Sequence, residues 1–364
     1  MFEEFVFEEE DDDAKAPAFF ENKSEKLKLK LNSDRRMALF VNHTFRVSQG
    51  DHQRFPANQF GYNLPNCSPY TLQDFSQVLH RYMHLEAYCN AVDDLSGPIP
   101  KGDASSEPDL FQALFFPRSI APRTPMKPVA QTQMSENTLS AMWFRLVAHY
   151  FEWLAGISEL QYFSDQDKLR LAVCQLCKVV CFSVVYANYE SKTDGEHNDF
   201  LFFGSGFYWD PARSNDPLMD DYCQEMNRIV NQILSPARKV GMTKEEYVLA
   251  KLIVLFDCNK LIGISEEGLE FARSMCNKYR TTLSQYVRFR AEEMEGAEEW
   301  SDEQIDRFSM ERMKSLLDMP IGIEKLGKLD DDSLADMVES NYGGMRGTLQ
   351  QQIHTESKKV RHAQ

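Results

Sequence analysis

No uninterrupted apolar run in the 364-residue chain reaches the roughly 18 residues that carry a helix across a bilayer. Positive charge is the scarcer sign: 40 Lys and Arg face 56 Asp and Glu, for a net charge of −16. With a pI near 5.0 the chain lacks the concentrated basic surface that general nucleic-acid binding requires. Its start, Met1-Phe-Glu-Glu-Phe5, has neither the basic opening nor the apolar stretch of a secretion signal. Phosphate-binding loop, GxSxG, HExxH and dinucleotide-fingerprint motifs are all missing. No segment recurs with a period of about 20–50 residues, which excludes a solenoid. A soluble, intracellular chain is expected. Its 43% apolar content then excludes a mainly disordered or collagen-like one.

The eight cysteines are spread along the chain. Three cluster in Cys174-Gln-Leu-Cys177-Lys-Val-Val-Cys181, but no second CxxC pair and no neighbouring His completes a tetrahedral zinc set. They read as small fillers of a buried helix, and no metal or cofactor is expected. His80 and His84 stand one helical turn apart, yet Arg81 occupies the place where a metalloprotease carries Glu. Residues 1–13 hold eight carboxylates and no basic residue, half of the net charge. Self-repulsion keeps such a segment unfolded; with its interleaved Phe residues it reads as an activation tail or as a solubilising terminus. The basic cluster at Lys26–Lys30 and Arg35–Arg36 is a weak import signal. Residues 1–68 are expected to be a flexible extension, 69–340 a helical domain and 341–364 a polar tail.

Helical periodicity carries the middle. Thr71–Asn90 has an apolar face, and Pro-rich residues 96–129 read as a long loop. In Glu136–Ala155, residues Leu139, Met142, Trp143, Leu146, Val147 and Tyr150 form one stripe. Leu169–Tyr189 is apolar nearly all round, so it must lie between other helices. Phe200–Trp209, with Gly204-Ser-Gly206 between aromatic runs, reads as a small β-hairpin. Thr243-Lys-Glu-Glu246 and Ser301-Asp-Glu-Gln304 are capping boxes, and Ser265 starts a further helix. Pro320 should end the helix that begins at Ser301. The expected class is an all-α antiparallel helical sandwich with one small hairpin.

Asp220, Asp221 and Glu225 invite comparison with all-helical magnesium-dependent isoprenoid synthases, but the second metal-binding helix is missing. The positive end of a helix dipole accounts for such acids without catalysis.

Phe151-Glu-Trp153-Leu-Ala-Gly-Ile157, Leu160, Phe163 and Ser164-Asp-Gln-Asp167-Lys168-Leu169-Arg-Leu171 resemble the signature of nuclear hormone receptor ligand-binding domains. The Asp-Lys pair is similar to that of the nematode receptors. Glu245–Phe256, Gly263–Ser265 and Tyr279–Tyr286 resemble that family's eighth and ninth helices. The resemblance, over about residues 70–340, implies a non-enzymatic nuclear regulator of transcription that encloses a small lipophilic ligand.

By the same resemblance, Met142, Trp143, Leu146, Cys177, Val180 and Cys181 would line the pocket, with Phe203 and Tyr208 from the hairpin. Ala187 stands where many receptors carry a ligand-holding Arg, so a fatty or otherwise apolar ligand, or side chains alone, would fill it. Leu334, Asp336, Met337 and Val338 would form the mobile terminal helix that completes a groove for a coregulator helix. Ala155 replaces the Lys of the opposite clamp. Phe308, Met313 and Leu317 would lie on the helix used for homo- or heterodimerisation. Before residue 70 the chain has only Cys67, so it cannot build the family's paired-cysteine zinc modules, and direct DNA binding is not expected. A ligand-free module that titrates full-length receptors is the alternative.

Overall fold

The computed structural model describes residues 75–92, 107–191, 200–257, 263–294 and 299–355. The expected extension 1–68, the basic cluster and Cys67 lie outside them. Within them the chain forms α1 (Phe75–Cys89), α2 (Leu110–Phe115), α3 (Pro117–Ile120), β1 (Thr132–Gln133) and α4 (Glu136–Ala155). There follow α5 (Asp165–Cys174), α6 (Leu176–Glu190), β2 (Leu201–Gly204), β3 (Phe207–Trp209) and α7 (Pro217–Val240). The rest is α8 (Lys244–Phe256), α9 (Glu266–Glu292), α10 (Asp302–Ser340) and α11 (Thr348–Gln350), leading into a π-helical turn, Gln351–Thr355. This is an all-α helical sandwich with a small sheet. Among the described residues no single helix is long and apolar enough to cross a membrane.

The all-round apolar stretch does form the centre. Helix α6 is covered by α4, α7, α8, α10 and strand β2. Leu176, Val179, Phe182, Val184 and Val185 are all buried, on different sides of it. It is not one continuous helix with its upstream part, however: α5 and α6 meet at Gln175 at an angle of 46°. The cause is polar. The Gln175 side-chain amide donates to the Leu255 carbonyl at 3.1 Å and the Asp257 carbonyl at 2.9 Å, which pulls the junction toward the end of α8.

The hairpin gains a third strand. Thr132 and Gln133 pair in parallel with Phe207 and Tyr208, while β2 and β3 pair antiparallel. The turn needs left-handed backbone at Gly204 (φ 85°), Ser205 (54°) and Gly206 (85°). Asn188 pins the sheet to α6 by exchanging hydrogen bonds with Phe202 at 2.7 and 2.9 Å.

Both capping boxes form as expected, and Ser265 caps α9. Asp167 of the signature accepts from the Ser265 amide (2.8 Å) and hydroxyl (2.6 Å), tying the start of α5 to the start of α9. Buried Lys251 pairs with buried Glu86 at 3.0 Å and lies 4.4 Å from the Trp153 ring, joining α8, α1 and α4. Burial alone would raise the Glu86 carboxyl, but Lys251 holds it below the usual range. His149, buried beside this pair, is pushed down to about 3 by burial and then by Lys251.

Pro320 does not end its helix. An interior proline costs roughly 3 kcal/mol or more, yet α10 runs for 39 residues through it. Leu316, Met319, Ile323, Leu326, Leu334 and Met337 form a buried stripe on both sides of the proline, and that burial outweighs the lost hydrogen bond. At Gly327 a side chain would meet the Lys178 backbone at 2.9 Å, so α10 and α6 touch main chain to main chain there.

Candidate functional site

A cavity lies between α4, α6, α7, β2 and α10. Met142, Trp143 and Leu146 of α4, Val180 and Cys181 of α6 and Phe203 of β2 all line it. Six of the eight pocket residues expected from sequence are therefore brought together. Tyr208 is not in the wall: its hydroxyl accepts from Arg213 at 3.3 Å and its ring sits 6.3 Å from that of Phe200. Cys177 is also outside it, with its thiol 3.7 Å from an Asp331 oxygen. The space open to a water-sized sphere is only about 20 Å³, room for about one water molecule. Drug-sized ligands fill pockets of roughly 300–1,000 Å³. In this conformation the protein's own side chains fill the interior.

Two polar wall residues were not foreseen. Tyr222 of α7 donates to the Asp330 carboxylate of α10 at 2.6 Å, and both face the cavity. Burial raises the Asp330 carboxyl, against the pull of the Tyr222 hydrogen bond. Burial and then Asp330 push the Tyr222 phenol and the Cys181 thiol up, so both stay protonated. Asp330 and Asp331 are both buried, in the C-terminal third of α10.

Asp331 begins a second polar chain. Its Oδ1 lies 2.8 Å from His354 Nδ1, and the Trp143 indole N–H donates to His354 Nε2 at 2.8 Å. Since Nε2 accepts from the indole, the ring proton sits on Nδ1 and faces Asp331. His354 is fully buried, in the segment expected as a polar tail. Residues 342–355 instead turn back onto the domain: Met345, Leu349 and Ile353 are buried, and Gln352 accepts from the Leu110 amide at 2.7 Å. These three apolar anchors are spaced among Gly, Gln and Thr, which hides them in the sequence.

Cys177, Asp331 and His354 offer ligand atoms within 4.8 Å of one another. The histidine that the sequence did not supply next to Cys174–Cys181 thus arrives through the fold. Both of its nitrogens are already engaged, by Trp143 and by Asp331. A metal on Nδ1 would leave Nε2 carrying a proton against the indole N–H, so this set fits hydrogen bonding better than coordination.

The residues expected to form a mobile terminal helix are the last turns of α10. Leu334 lines the cavity, Met337 and Val338 are buried, and Asp336 is exposed. Their buried stripe is continuous with that of α10, so they cannot swing as a separate element without unwinding it. Phe308, Met313 and Leu317 are half-buried on α10, and Met313 and Leu317 pack against the core. The exposed apolar side chains on this helix are Met310 and Ile321. Asp220 accepts from the Trp209 indole at 2.8 Å and Glu225 pairs with Arg228, so two of the three acids in the enzyme-like cluster have structural partners.

The model of the ligand-binding domain of nuclear hormone receptor matches residues 124–325, more than half of the chain. Similarity also extends to a Caenorhabditis elegans protein named Nuclear hormone receptor family member nhr-4. It is 24% identical over 179 residues, which is 49% of this chain and 35% of that protein. The chain thus spans about a third of the length of this relative. With the signature in α4–α5, the apolar α6 at the centre and the sheet beside it, the chain belongs to the nuclear hormone receptor ligand-binding domain family.

Proposed function

We propose that this chain is a nuclear regulator of transcription whose interior, between α4, α6 and α10, takes a small lipophilic molecule. It acts through coregulators and receptor partners. The observation that carries the reading is convergence. Side chains from five separate elements surround one enclosed space, and Trp143 in its wall is bonded directly to His354 of the C-terminal segment. A ligand that displaced Trp143 would change what holds that segment, so occupancy and surface are linked through one indole. The flexible side chains of Met142 and Met226 are the parts of the wall that can retreat to make room.

The cavity of about 20 Å³ favours a second reading, a module that works without a ligand by pairing with other receptors. Met310, Leu317 and Ile321 share one face of α10 and suit such pairing. Native mass spectrometry of the full chain separates the two. A retained molecule, lost on denaturation, supports the ligand reading; bare protein that still forms dimers supports the pairing reading.

A further inference from the structure

We propose that the cavity is selective for an apolar molecule bearing a protonated amine, and discriminates against one bearing a carboxylate. This rests on the ligand-binding reading above and names the chemical class of the ligand.

Most of the wall is hydrocarbon, sulfur or aromatic ring, and its one acidic group is Asp330. Asp330 is held in place by the Tyr222 hydroxyl at 2.6 Å. The next residue, Asp331, is a second buried carboxyl. The charged or titratable groups acting on Asp330 include His354 and Asp331. Two adjoining buried carboxyls therefore lie here, and the His354 imidazole contacts Asp331. Burial and then the neighbouring Asp331 raise the Asp330 carboxyl, and the Tyr222 hydrogen bond works against them.

A ligand ammonium within hydrogen-bond reach of Asp330 would pair with its carboxylate. RNH3+ enters with its own proton, and any proton held by the Asp330 carboxyl leaves to solvent. Trp143, Phe203 and Tyr222 add aromatic faces that attract a cation. A fatty carboxylate in the same place would meet Asp330 and would have to be protonated to stay.

The test uses the purified full chain and three matched probes: 4-phenylbutylamine, 4-phenylbutanol and 4-phenylbutyrate. Titration calorimetry at pH 7 gives the three affinities. The amine is expected to bind at least tenfold more tightly than the alcohol, with the acid weakest. Asp330→Asn should abolish the preference for the amine over the alcohol. Glu303→Gln, on the exposed first turn of α10, should change nothing and controls for general attraction to an acidic protein. If the alcohol or the acid binds as well as the amine, the selectivity is overturned while the ligand reading stands. If none of the three binds, the amine proposal falls. The ligand reading then depends on the mass-spectrometric result alone. Should Asp330→Asn fail to fold, the order of the three probes on the wild-type chain still decides.

Discussion

The two walls of the cavity are built on opposite principles. On the α4–α6 side, Met142, Leu146, Val180 and Phe203 are held by burial alone. On the side of α7 and α10, Tyr222 and Asp330 in the wall, with Asp331 and His354 behind it, are held by directed hydrogen bonds. Burial of hydrocarbon stabilises in proportion to area and tolerates repacking. Buried polar groups cost free energy unless each finds its partner, so that side has few alternative arrangements. The first wall makes the domain stable, whereas the second makes the position of residues 342–355 specific.

The largest expected effect belongs to the apolar wall. Phe203→Ala should destabilise the chain by about 3–5 kcal/mol in urea unfolding, the usual cost of emptying a buried aromatic site. A loss below about 1 kcal/mol would mean that the wall collapses to fill the gap, and the contrast between the walls would weaken.

Next comes the polar wall. His354→Leu leaves the Trp143 indole and Asp331 without this partner, at a cost of about 1–3 kcal/mol. The cost should be local: hydrogen exchange should speed up over residues 342–355 while the α6 amides stay protected. Equal acceleration in α6 would show that both walls open as one unit.

Acid should act through groups away from both walls. Folded His149 sits at about 3 against an ordinary 6.5. The unfolded chain therefore takes up its proton first, and stability falls as pH drops below 6.5 toward about 3. Burial would raise Glu159, but Arg81 and Lys278 hold it at about 2 against 4.5. Its contribution is present above pH 4.5 and fades as pH falls through about 2. Thermal unfolding from pH 8 to 3 should show a slope starting near 6.5, and His149→Phe should remove its upper part.

The smallest effect on stability is expected outside the cavity. Met310→Lys with Ile321→Lys changes exposed side chains, so unfolding should move by about 0.5 kcal/mol or less. Sedimentation should nevertheless shift from dimer toward monomer. An unchanged oligomer would place the contact elsewhere.

What the sequence revealed follows the same division. Helices α4, α6 and α9 were legible because an apolar stripe at helical spacing reports burial directly. Five wall residues lay on the stripes of α4 and α6, and Phe203 on the aromatic run of the hairpin. Tyr222, Asp330 and His354 were hidden because a buried acid or imidazole looks like a solvated one until its distant partner is known. Those partners lie 108 residues apart for Tyr222 and Asp330, and 211 for Trp143 and His354. The bend at Gln175 carries no Gly or Pro, and strand β1 is two residues defined only by pairing with β3. Pro320 misled in the other direction, since local propensity lost to burial on both sides of it.

The elbow at Gln175 has a consequence for synthesis. Its fasteners, the carbonyls of Leu255 and Asp257, are made 80 and 82 residues later. At about 5–20 residues per second the ribosome delivers them roughly 4–16 s after Gln175 itself. During that interval the oiliest stretch of the polypeptide has left the tunnel with neither its bend nor its cover. Newborn chains should therefore lean on chaperones at this stage, and slowing translation between codons 190 and 257 should lower the yield of folded protein.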